Sequence, residues 1–215
     1  MWEGYGRSSK RRKTAPGKEI RGRGCDFPQL RFRAFISVDI SPSDSLVALL
    51  DLLRESRADT KVVKPANLHF TLKFLGDTEE ELVDVITDRM RESVEGTQAF
   101  KVKLEGIGAF PSMSNIRVIW VGTDDGRHLA GIAGRLDSSL EEIGLERDRK
   151  GFKPHLTVAR ARSSRGLDIV RELIVANAAT GFGGYSIDKI VLKKSTLTPQ
   201  GPRYSTINEV MLAQG

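Results

Sequence analysis

The sequence is poor in the residues that redox and metal chemistry use: one cysteine, Cys25, and three histidines in 215 residues. A lone cysteine cannot close an intramolecular disulfide, so a reducing compartment is expected, and with it a cytoplasmic location. There is no HExxH or CxxC pattern, and the two strong ligand candidates, His69 and His155, are too few for zinc. Neither a metal nor another cofactor is expected. No glycine-rich phosphate loop stands where a strand meets a helix, which argues against P-loop chemistry. The apolar runs fall well short of the ~20 residues a membrane helix needs, so no membrane partner is expected. The N-terminus lacks the apolar stretch of a secretory signal.

What is present suits an ordinary globular protein, with 39% apolar and 29% charged residues. The net charge of +6 is unevenly spread, because residues 1–26 carry eight basic side chains against three acidic ones. Residues 1–30 therefore read as a disordered basic extension, since Gly, Ser, Lys and Arg cannot bury enough surface to fold. Such a tail is either a solubilising leader, a translation start set too far upstream, or an arm drawn to RNA phosphates. Residues 31–215 are the expected folded unit, and a monomer is the default expectation.

Periodicity divides that unit into strands and single helices. Residues 31–40 are rich in aromatic and β-branched side chains, a strand pattern. Ser41 and Pro42 suit an N-cap and first helical position, ahead of Leu46, Leu49, Leu50 and Leu53 on one face. Residues 68–75 read as a strand. Asp77 or Thr78 would cap a second helix with Leu82, Val85, Ile86 and Met90 on its apolar face. An extended region over 99–109 is expected to break at Phe110-Pro111-Ser112. A strand over 116–121 precedes a helix bearing Leu129, Ile132, Leu136, Leu140 and Ile143. A strand over 154–161, a weaker helix over 167–176, and strands over 187–192 and 204–212 complete the chain. Several strands lie too close together for parallel crossovers, so the fold class is α+β with antiparallel sheets.

The most informative pattern is a duplicated tetrapeptide, His69-Phe70-Thr71-Leu72 and His155-Leu156-Thr157-Val158. With twelve threonines in the chain, two of three histidines would have threonine at +2 by chance roughly once in a hundred sequences. Each copy opens a predicted strand after a proline-containing turn. Side chains alternate along a strand, so each His/Thr pair shares one face while its apolar neighbours take the other. An imidazole is a general acid or base near neutral pH, and a threonine hydroxyl can donate to a phosphate oxygen. Two such pairs across a cleft could bracket one phosphate. His128 has no threonine partner and reads as solvated.

These paired motifs resemble the two-histidine phosphoesterase superfamily, and more closely its RNA 2′,3′-cyclic phosphodiesterases, also called 2′-5′ RNA ligases. The resemblance runs through Arg33-Ala34-Phe35-Ile36, residues 67–76, Arg117-Val118-Ile119-Trp120, residues 155–160 and residues 192–204. The basic extension departs from it, because family members usually start near Arg33. The family implies a bilobal fold, with two antiparallel sheets forming a V-shaped cleft, helices packed outside and a pseudo-twofold. It implies that one histidine activates water for attack on a 2′,3′-cyclic phosphate at an RNA end and the other protonates the departing 3′-oxygen. A 2′-phosphate results, and a 5′-hydroxyl in place of water would give a 2′-5′ linkage. Catalysis is thus expected from His69 and His155, with Thr71 and Thr157 on the phosphate. Arg160 stands where the family often has a phosphate-binding arginine, although strict alternation turns it away from His155. Lys73 shares the predicted face of His69, Arg117 could guard the cleft, and Tyr204 could stack on a base. Trp120 is expected in the core. Two other readings stay open, an RNA-end binding protein without turnover and a related enzyme acting on small cyclic nucleotides.

Overall fold

The computed structural model describes residues 30–148, 151–199 and 201–214. The basic extension, apart from Leu30, therefore lies outside the described residues. Nine strands form one continuous sheet among the described residues. Along its main path β7 (Gly181–Ile187), β4 (Phe100–Ser112), β5 (Asn115–Thr123) and β6 (Leu156–Ala161) make one half. The other half is β3 (His69–Glu79), β1 (Arg31–Asp39), β8 (Lys189–Thr198) and β9 (Gly201–Met211). The short β2 (Thr60–Val62) pairs with β6 off this path. All paired strands in the sheet run antiparallel.

The expectation of two sheets is corrected by one contact. β3 and β6 meet through the antiparallel pair Phe70↔Leu156, which joins the halves into a single curled sheet, a half-barrel cleft. An unpaired edge strand leaves a row of backbone donors and acceptors without partners, and joining the two central strands removes two such edges. The halves remain pseudo-symmetric about this seam, each with four antiparallel strands on the main path.

Helices α1 (Asp44–Glu55), α2 (Val83–Val94), α3 (Arg127–Glu141) and α4 (Leu167–Ala176) pack around the sheet. Leu46, Leu49, Leu50 and Leu53 of α1 are buried, as are Leu129, Ile132, Leu136 and Leu140 of α3. Both stripes follow the expected steps of three and four. Two helix starts differ from expectation. Ser43, not Ser41, caps α1, accepting a hydrogen bond from the Leu46 amide at 3.4 Å. Thr78 is no cap at all. It sits buried in β3, because β1 pairs with β3 as far as Arg31↔Glu79 and the ladder claims these residues. Helix α2 follows only after a 3-10 turn over Glu80–Leu82, and Val85 on it is exposed while Thr87 is buried. Nor does β4 break at Phe110; it continues through a cis Phe110–Pro111 bond to Ser112.

The strands that carry the duplicated motif share a second irregularity. On β3, Thr71 pairs with Ser37 and Lys73 with Ile36, so Leu72 has no partner on β1. On β6, Thr157 pairs with Trp120 and Ala159 with Ile119, so Val158 has none on β5. Each extra residue is a β-bulge, and beyond it the alternation of faces reverses. Leu72 and Lys73 are both buried, and so are Val158 and Ala159. Phe74 and Arg160, next in their strands, turn back to the face of the histidines.

Candidate active site

His69 opens β3 one residue after the 3-10 turn Pro65–Asn67, and His155 immediately precedes β6. Their local geometry is the same. Each ring places Nδ1 2.7 Å from the carbonyl oxygen two residues earlier, Asn67 for His69 and Lys153 for His155. A carbonyl only accepts, so Nδ1–H donates in both, and Nε2 is the atom left for chemistry. The antiparallel register through Phe70 and Leu156 sets His69 opposite Thr157, and Thr71 opposite His155. By register the two motifs are therefore crossed, His69 level with Thr157 and His155 level with Thr71.

Aromatic rings fix both imidazoles. His69 lies 5.0 Å from the Phe35 ring and 5.4 Å from Tyr204, which meets it edge-on. His155 meets Phe110 edge-on at 5.0 Å, and Phe110 leans on Trp120 at 5.1 Å. Burial pushes the His69 pKa below its ordinary value, and the Lys193 ammonium and Arg160 push the same way. The Asn67 carbonyl and the Asp39 carboxylate oppose them. Lys193 is itself buried and held to Asp39 at 2.6 Å. Burial also raises the Tyr204 phenol, against the pull of Arg160.

His69, Thr71, Thr157, Arg160 and Tyr204 line one cavity of about 390 Å³, with Phe74 on its wall, while His155 lies outside that lining, against Phe110 on the other side of the seam. The bulge at Val158 accounts for Arg160, which alternation alone would turn away. The matching bulge at Leu72 has the opposite effect on Lys73, and the expectation that it shares the cleft with His69 is corrected. Lys73 is only 5% exposed and binds Asp137 of α3 and the Glu146 carbonyl. Burial disfavours the Asp137 carboxylate, yet the Lys73 ammonium and the Asp148 amide hold its pKa below the ordinary value. Lys73→Met leaves that carboxylate with Arg147 and one amide, and is expected to lower stability by about 3 kcal/mol. A urea midpoint equal to wild type would show that the ion pair contributes nothing. Arg117 does not join the cavity either. It is the residue left unpaired where β5 slips against Phe110–Pro111, and it lines a shallow groove with Arg162 and Arg171.

Phe35, Phe74, Phe110 and the Lys193–Asp39 pair form part of the site's surroundings, and sequence reading missed them. They lie on other strands or beyond a bulge, so no spacing ties them to the motif. The only available signal was period-two alternation along β1, which puts Phe35 and Asp39 on one face. Among the described residues, no group of three or more His, Cys, Asp or Glu is placed to hold a metal ion.

The duplicated motif on the two strands that meet at one seam, with an imidazole and a hydroxyl in each copy, is the arrangement of a two-histidine phosphoesterase. Residues 38–120 and 121–204 both match the LigT-like phosphoesterase family, one stretch for each motif, and the chain belongs to that family. It is 34% identical over 178 residues to an RNA 2′,3′-cyclic phosphodiesterase of Methanothermobacter thermautotrophicus, covering 82% of this chain and 96% of the relative. A second enzyme so named, from Archaeoglobus fulgidus, is 36% identical over 179 residues, covering 81% and 97%. Among solved structures, TT0787 of Thermus thermophilus superposes with a TM-score of 0.69 at 26% identity, over 84% of this chain and 97% of that one. E. coli LigT in complex with 3′-AMP shares the fold, with a TM-score of 0.67 at 21% identity, over 86% of this chain and all of that one.

Proposed function

We propose that this chain hydrolyses the 2′,3′-cyclic phosphate at RNA ends to a 2′-phosphate, by acid–base catalysis from His69 and His155 without a metal ion. The observation that carries this reading is the matched pair of histidines at the β3–β6 seam, each with Nδ1 tied to the carbonyl two residues earlier, which leaves Nε2 to move a proton. The curated relatives, both named RNA 2′,3′-cyclic phosphodiesterases, support the substrate class.

His69 is the group suited to act as base, because burial and the neighbouring cations favour its neutral form. Its Nε2 takes a proton from water as the water oxygen bonds to phosphorus. The P–O3′ bond breaks on the opposite side, and His155 gives its Nε2 proton to the departing 3′-oxygen. Thr71, Thr157 and Arg160 donate to the non-bridging oxygens, whose charge grows as the phosphorane forms. A ribose 5′-hydroxyl replacing water would yield a 2′-5′ linkage through the same proton transfers. One chain supplies both histidines, so a monomer suffices.

The test is a short RNA ending in 2′,3′-cyclic phosphate, incubated with the protein and a chelator. A 2′-phosphate end is the expected product. An intact cyclic end would sink the proposal, and a 3′-phosphate would reassign the leaving oxygen. The profile of kcat/KM against pH should be bell-shaped. The base works only when neutral, so its limb falls as pH drops through the His69 pKa. Because that pKa is lowered, the acid-side midpoint is expected below 6.5.

A further inference from the structure

Beside the catalytic cavity lies a second one of about 540 Å³, and the two share Val63, Asn67, Arg160 and Tyr204 as a common wall. Its construction follows from β2, whose residue Lys61 pairs with Arg160 of β6, so that both side chains stand on one side of the sheet edge. Past β2 comes Lys64, and past β6 comes Arg162, both lining the same cavity. Lys61 reaches across to the β8–β9 turn, where its ammonium lies 2.8 Å from the position a Cβ on Gly201 would take. Gly201 also has a φ of +116°, so a side chain there would be strained as well as crowded.

The chemistry of this cavity is one-sided. Leu53, Ala58, Val62 and Val63 give it apolar walls, Pro202 and Tyr204 bound it, and no carboxylate lines it among the described residues. Arg54 at its margin is paired with Asp51. Among the described residues, Lys61, Lys64, Arg160 and Arg162 have no ion-pair partner. Four cations held close together without counter-charge repel one another, which weakens the fold unless an anion is bound. Apolar walls between cations suit a ligand that alternates flat rings with negative charges.

We infer that this second cavity binds the nucleotide 5′ to the reacting end, with Lys61, Lys64 and Arg162 on the adjoining phosphodiester and the apolar wall against the base. The inference rests on the phosphodiesterase reading and deepens it. The terminal ribose and its cyclic phosphate occupy the histidine cavity, and the chain runs past Arg160 and Tyr204 into its neighbour. The enzyme is then built for oligonucleotide ends in preference to free cyclic mononucleotides.

Two arms test this. In the first, kcat/KM is measured on cytidine 2′,3′-cyclic phosphate and on a trinucleotide ending in the same group. Wild type is expected to favour the trinucleotide, and the variant K61A/K64A/R162A to lose about 10- to 100-fold on it while turning over the mononucleotide as before. Equal losses on both substrates would make the cations part of the terminal-nucleotide site and overturn the inference; so would no loss on either. In the second arm, a 5′-fluorescent trinucleotide ending in 2′-phosphate is titrated by anisotropy across salt concentrations. The variant is expected to bind more weakly and with a slope in log Kd against log salt shallower by about 1, as for the loss of one to two phosphate contacts. Failure of wild type to turn over either substrate would defeat the phosphodiesterase reading. The binding arm would still decide this one, because a variant that binds as tightly as wild type overturns it.

Discussion

Alanine at His155 is expected to lower kcat/KM on a cyclic-phosphate RNA end about 10²- to 10⁴-fold, the range lost when a general acid is removed. The more telling result is what restores it. If His155 protonates the departing 3′-oxygen, replacing that oxygen by sulfur should bring most of the rate back, because a thiolate leaves without a proton. His69→Ala is expected to lose as much with either leaving atom, because water still needs a base. Rescue of His69→Ala in place of His155→Ala would exchange the two roles. Rescue of neither would mean that proton donation to the 3′ position is not part of the limiting step. Both variants remove only a side chain from the edge of the seam, and the Phe70↔Leu156 backbone pair beside them is untouched.

The second large effect is expected at Arg160. Its guanidinium lines the cavity of His69 and the two threonines and has no ion-pair partner among the described residues. Negative charge on the phosphoryl oxygens rises toward the phosphorane, so a cation there acts more on the transition state than on the bound substrate. Arg160→Met, which keeps an unbranched apolar stem, is expected to lower kcat about 10²- to 10³-fold with a smaller change in KM. Arg160→Lys should recover part of the loss, since it restores charge without the fork of donors. A rise in KM at unchanged kcat would show that Arg160 binds substrate and transition state alike.

The histidine pair of the candidate site was legible in the sequence for a plain reason. In a strand, residues at i and i+2 share a face, so a repeated His-x-Thr is a repeated surface, visible without knowing where the strand lies. Helices α1 and α3 were legible in the same way through their leucine and isoleucine stripes. What was hidden depended on pairing. Whether Lys73 or Phe74 faces the cleft is decided by Leu72 lacking a partner on β1, and that lies in the register between two strands separated in sequence by a helix, a short strand and a 3-10 turn. The single sheet was hidden for the same reason, since one backbone pair between β3 and β6 makes it. Strand β7, Gly-Phe-Gly-Gly-Tyr-Ser-Ile, gave no propensity signal; its ladder with β4 holds it in place. The caps failed at Thr78 because a residue suited to start a helix was already engaged in a sheet.

The bulge at Val158 also bears on how such chains should be aligned. Two residues in succession, Val158 and Ala159, go to the buried side before Arg160 emerges. A flat strand in which the arginine followed the threonine by two positions, with a single apolar residue between, would present the same surface. Spacing and placement are therefore uncoupled at this point, and a one-residue gap here marks a change of backbone path without a change of function. Scored by motif length alone, two such enzymes would look divergent; superposed, their arginines would coincide.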